Sequence, residues 1–291
     1  MRVQRRMRPS GRCFVMGSRR TSCSTAKITR NAEWHQREPG TVMSFEESSA
    51  VRGTMHSKGE CMLLIELALL PAIVLVVWIY RQDKVEKEPK SLLRKVFLFG
   101  VLSLIPAVIL ELLLEEVLLI FAEAGTLSYL ILENFIGVAL VEEFCKMKAA
   151  RKAAWDHPAF DYKFDAIVYC VTSALGFAAI ENVFYCVEEG IGLVVLRALL
   201  SVPTHAITGI IMGYFFGLAK EAELAGNKRH RKRCLKRCIL VPTLVHGLYD
   251  FSLEREEEGI LIFFFICVIA VDIWAFKFVK KQSAEDRSLE A

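Results

Sequence analysis

Along the 291 residues, long runs of apolar side chains alternate with short polar connections. The runs fall at roughly 62–80, 96–121, 127–147, 165–187, 191–219, 236–253 and 259–279. Each is close to the roughly 20 residues that a helix needs to cross about 30 Å of hydrocarbon. They are continuous and rich in Leu, Ile, Val, Phe and Ala, where the strands of a membrane barrel would alternate with period two over about ten residues. The pattern predicts an all-α polytopic membrane helix bundle of about seven transmembrane helices. Residues 1–60 differ: rich in Arg, Ser, Thr and Gly, they hold no apolar period, and they read as a disordered leader or a mis-assigned start, with translation beginning at Met62 or Met55. The domain proper is then 61–281, followed by a tail over 282–291.

Charge adds an orientation. Lys and Arg crowd the connections after the first, third and fifth runs and the C-terminal tail, for example Arg81, Lys84, Lys87, Lys152, Arg231, Lys232 and Lys280. The second, fourth and sixth connections offer Arg255 alone. The positive-inside bias therefore predicts a cytoplasmic C-terminus and an external mature N-terminus. Composition changes little: 54% hydrophobic residues and a mean hydropathy of +0.36 are too apolar for a soluble domain, and make the lipid bilayer the expected solvent. The net charge of +4 is modest, and no nucleic-acid partner is expected. Nine cysteines without a CxxC pair read mainly as small buried hydrophobes.

Ionisable side chains at membrane depth are costly and so need a reason. Glu111 and Glu115 share one face of the second span at i, i+4 and read as structural or interfacial. The third span ends in Glu142-Glu143-Phe-Cys-Lys146; an intrahelical ion pair with Lys146 accounts for one glutamate better than for two. The fourth carries Glu181, Asn182 and Tyr185 as a polar patch. The fifth carries Arg197, Pro203-Thr204-His205 and the stripe Gly209, Gly213, Gly217, which suits close helix packing. The sixth carries His246 and Asp250, four residues apart on one face, a spacing suited to two metal ligands or to a histidine oriented by a carboxylate. At about 1.5 Å per residue, Glu142, His205 and His246 all fall near mid-bilayer.

These residues give the chain its resemblance to the PrsW family of intramembrane proteases, relatives of the prenyl CAAX endopeptidases. The resemblance runs over 62–280: Tyr80-Arg-Gln-Asp83 and Glu88-Pro89, the EExxK of Glu142, Glu143 and Lys146, the FxxxEN of Phe177, Glu181 and Asn182 with Tyr185 after it, then Arg197, Pro203-Thr-His205 and His246-Gly-Leu-Tyr-Asp250-Phe251. It implies cleavage of a single-span membrane-anchored protein, such as an anti-sigma factor, as the first cut of a regulated cascade. Carried onto this sequence, it makes Glu142, Glu143, His205 and His246 the candidate catalytic residues, with Lys146, Glu181, Asn182, Tyr185 and Arg197 in support. The prenyl endopeptidases have FxxxH where this chain has Phe177-xxx-Glu181, and HxxxN where it has His246-xxx-Asp250. Two mechanisms stay open: a glutamate-activated water alone, or one assisted by Zn2+ on Glu143, His205, His246 and Asp250. The rival readings are a transporter or scaffold whose buried acids relay protons, and a prenyl-type CAAX endopeptidase.

Overall fold

The computed structural model of the protein describes residues 58–189, 191–255 and 258–289. Save for its last three residues, the expected leader lies outside them. Ten α-helices follow in order: α1 (Lys58–Gln82), α2 (Lys90–Leu102), α3 (Leu104–Phe121), α4 (Leu127–Leu132), α5 (Leu140–Ala154), α6 (Asp165–Glu189), α7 (Ile191–Leu199), α8 (Ser201–Leu224), α9 (Lys228–Glu254) and α10 (Glu258–Ala284), with a π-helical segment, Glu133–Ala139, between α4 and α5. The chain is a polytopic helical membrane bundle. Five stretches are long and apolar enough to cross a membrane: Met62–Gln82, Lys90–Phe121, Asp165–Tyr185, Val195–Leu224 and Leu261–Ala284. The expected third and sixth spans correspond to Leu127–Ala154 and to α9, whose apolar runs are interrupted by the charged residues that make them interesting.

Burial separates the helices into two classes. In α6, 78% of the apolar window is inside the protein, against 17% in α1 and in α10. Lipid therefore meets α1, α3 and α10, which turn Leu70, Ile105, Phe121, Ile262 and Ile266 outward, while α6 and α8 form the centre. Small residues bring that centre together. A Cβ on Gly213 would lie 2.5 Å from the Ile167 Cα, and one on Gly209 2.8 Å from the Val171 Cα, so α8 rests on the backbone of α6. With lipid as apolar as the side chains, such van der Waals contact is what holds membrane helices together.

Three irregularities depart from straight spans. The second expected span breaks at Ser103, whose hydroxyl donates to the Gly100 carbonyl (2.6 Å), three residues ahead of Pro106. The fifth breaks at Leu200, where Pro203 follows within the first turn of α8 and supplies no backbone donor. The π-helical segment widens the third by one residue per turn just before Glu142. The expected C-terminal tail joins the fold: Ser283 Oγ donates to the Gln82 carbonyl, Leu289 N to the Asp161 carbonyl (2.7 Å) and Phe164 N to Asp286 Oδ1 (2.8 Å).

Candidate active site

Glu142, Glu143 and Lys146 occupy the first two turns of α5, and all three are buried. The wide turn ahead of them is pinned from α9: Gly247 lies against the Phe135 ring, which a Cβ would meet at 2.6 Å, and Asn134 Nδ2 donates to Glu254 Oε2 (2.7 Å). That contact sets His246, the residue before Gly247, opposite the glutamates. His205 reaches the same point from the second turn of α8, and Glu181 from the middle of α6.

Lys146 is the hub. Its ammonium donates to Glu142 Oε2 (2.8 Å), Glu143 Oε1 (3.0 Å) and His205 Nδ1 (2.9 Å), and lies over the Phe177 ring, 4.4 Å from its centre. An ammonium has three hydrogens and no lone pair, so all three of its donors are spent here. His205 must accept at Nδ1 and carries its ring proton on Nε2, which lies 3.0 Å from Glu181 Oε2. The opposite oxygen of Glu181 pairs with Arg197 at 3.0 Å; Arg197 Nε in turn donates to Asn182 Oδ1 (3.1 Å), Asn182 Nδ2 to the Ala68 carbonyl (2.7 Å), and the guanidinium covers the Tyr185 ring. The supporting residues thus form one relay that ends on the His205 ring. On the other side, His246 Nδ1 lies 3.0 Å from Glu143 Oε1, and its Nε2 lies 3.3 Å from Asp250 Oδ2 and 3.8 Å from Glu142 Oε2. The two imidazoles sit edge to face, 5.4 Å apart.

Every candidate residue named from the sequence lies in this cluster. Glu111, expected from the sequence to be structural or interfacial, lies on α3 in the neighbourhood of Glu142, Glu181, Lys146 and His246. Its Oε1 is buried without a hydrogen-bond partner. The i, i+4 pairing of Glu111 with Glu115 is the signal in the sequence that marks this face of α3.

The donor set fits a divalent metal. Glu142, Glu143 and His205 each offer a ligand atom within 4.8 Å of the other two. Glu143 Oε2 is buried with no hydrogen-bond partner, so a lone pair is available. The Lys146 ammonium already stands among these donors, so an ion would share the carboxylates with it.

Comparison with known proteins agrees. The model of the PrsW family intramembrane metalloproteases matches residues 88–275. Among curated relatives, the protease PrsW of Geobacillus kaustophilus is 36% identical over 195 residues, which are 67% of this chain and 81% of the relative. That of Oceanobacillus iheyensis is 31% identical over 78% of this chain and 98% of the relative, and that of Bacillus subtilis 30% over 76% and 95%. No solved structure matches the chain. The chain belongs to the PrsW family of intramembrane metalloproteases.

Proposed function

We propose that this membrane-embedded peptidase cleaves a single-span regulatory protein, such as an anti-sigma factor, making the first cut of a proteolytic cascade. The observation that carries this reading is the convergence of Glu142, Glu143, Lys146, His205 and His246 within a buried cluster. A transporter or scaffold needs no such pairing of adjacent carboxylates with two oriented imidazoles.

Within the cluster the two glutamates divide the work by access. The Glu142 side chain keeps 8% of its surface exposed and Glu143 none, so Glu142 is the carboxylate that meets water. It takes a proton from that water, the resulting hydroxide oxygen adds to the scissile carbonyl, and the same proton passes to the amine as the C–N bond breaks. Lys146 holds both carboxylates in place, and together with the Glu181–Arg197 pair it fixes the His205 tautomer and the orientation of its ring. Asp250 and Glu143 orient His246 from its two nitrogens. Glu143, His205, His246 and Asp250 would hold a Zn2+ ion once Lys146 gives up the His205 Nδ1 lone pair, and the ion would then supply Lewis-acid polarisation of the carbonyl and a more acidic water. We place the basic connections and the C-terminus in the cytoplasm, which sets the α1–α2 connection and the start of α6 on that side.

The test is proteoliposome cleavage of single-span substrates, with and without a prenyl group, together with metal analysis of the purified protein. Release of a fragment from an unlipidated anti-sigma factor by the wild type, lost in Glu142→Gln at unchanged protein level, supports the reading. Cleavage confined to prenylated peptides overturns it in favour of a CAAX-type activity.

A further inference from the structure

A second buried acidic cluster lies away from the active site, where the α1–α2 connection meets the start of α6. Asp83, Glu88 and Asp165 are 1%, 4% and 1% exposed, and each presents an oxygen within 4.8 Å of the other two. What distinguishes this group from an ordinary acidic patch is Asp83. It is all but fully buried, yet neither carboxylate oxygen makes a hydrogen bond of good geometry, and among the described residues the Glu88 amide is the one backbone donor that acts on it. Asp286, from the C-terminal segment, is near enough to act on it, and its Oδ2 is likewise buried and unpartnered.

The positive groups nearby do not fill the gap. Lys87 spends its ammonium on the backbone carbonyls of Tyr80 and Asp83. Asp165 Oδ2 accepts from the Asp161 and Tyr162 amides (3.2 and 2.7 Å), and the Tyr169 hydroxyl donates to Glu88. These bonds aim the Asp165 and Glu88 carboxylates and leave Asp83 facing them with only the Glu88 amide and the charge of Lys87 to offset its own. An uncompensated buried carboxylate is costly, and three converging ones more so.

We propose that Asp83, Glu88 and Asp165, with Asp286 beside them, bind a hard divalent cation of the Mg2+, Mn2+ or Ca2+ type. The all-oxygen donor set selects for hardness, in contrast to the imidazole-containing active site. Its role is structural: the cation ties the α1–α2 connection, the N-terminus of α6 and the C-terminal segment into one joint. The inference is independent of the catalytic reading, since it shares no residue with the active site.

The experiment uses the full chain in detergent, with the active site silenced by Glu142→Gln/His246→Ala and stripped with chelator, then titrated with Mn2+ and followed by electron paramagnetic resonance. One saturable Mn2+ per chain is expected, displaced by Mg2+ or Ca2+. The melting temperature should rise by about 5 °C at a hundredfold excess over the dissociation constant. Adding Asp83→Asn or Glu88→Gln should weaken binding at least tenfold. The proposal is overturned by no saturable Mn2+ binding in the silenced parent, or by binding that survives both added substitutions. A parent stabilised by acid and indifferent to cations also overturns it, because protons shared among the carboxyls would then fill the cluster.

Discussion

Two buried acidic clusters in one chain solve the same problem differently. Around Glu142 and Glu143, the compensating charges are built in: Lys146 bridges both carboxylates and Arg197 neutralises Glu181. Around Asp83, Lys87 gives its hydrogen bonds to backbone carbonyls, and the carboxylate has no ion pair of its own. The first arrangement holds its carboxylates in fixed ion pairs, as the proposed general base requires. The second has no such pair on Asp83, where the proposed cation would bind. The two clusters differ in that only the first sets oriented imidazoles beside an internal counter-ion.

The sharpest way to break this contrast is at the inner cluster. Glu142→Gln keeps shape and hydrogen bonding, and should lower the cleavage rate by about 10² to 10⁴ while thermal stability stays close to wild type; fragment release from reconstituted protein measures it. Lys146→Met should act through stability instead. Removing one partner from a buried ion cluster costs about 3–5 kcal/mol, so a large drop in melting temperature and poor accumulation are expected. A Lys146→Met protein that melts like wild type would mean the carboxylates are neutral, and the contrast between the clusters would collapse. Glu111→Gln tests how far the inner cluster extends: cleavage should fall by roughly tenfold, whereas Glu115→Gln serves as a control expected to change little.

The smallest effect belongs to the outer cluster and depends on pH. Burial, opposed in part by Lys87 and reinforced by Asp286 and Glu86, raises Asp83 from 3.8 to about 6. Burial likewise raises Glu88 from 4.5 to about 7, eased by bonds from Tyr169 and Asp165 and reinforced by Asp83 and Asp161. The folded state then holds protons that the unfolded chain has released, so the contribution of these two carboxyls to stability is full below about pH 4 and is lost as pH rises through about 7. Chelated protein should show that fall in melting temperature, and saturating Mg2+ or Ca2+ should flatten it. An equal slope with and without cation would separate the titration from cation binding.

Much of this was legible in the sequence because membrane solvent makes hydrophobic runs and their exceptions conspicuous. The spans, and the gathering of Glu142, Glu143, Lys146, Glu181, Arg197, His205, His246 and Asp250, could be read from residues that lipid would not tolerate. What escaped was whatever depends on where helices bend. The π-helical segment leaves no mark in hydrophobic periodicity, and the breaks at Ser103 and Leu200 lie inside continuous apolar runs. The outer cluster escaped for another reason: Asp83 and Asp286 are 203 residues apart and sit in polar connections, where acids are ordinary.

The glycine contacts between α8 and α6 have a consequence for traffic. Backbones separated by less than the width of a methyl group cannot be prised apart by an incoming helix without undoing the centre of the bundle, so that seam is a wall. A covalent tie between α6 and α8 should therefore leave turnover intact, which cleavage by the cross-linked protein would check.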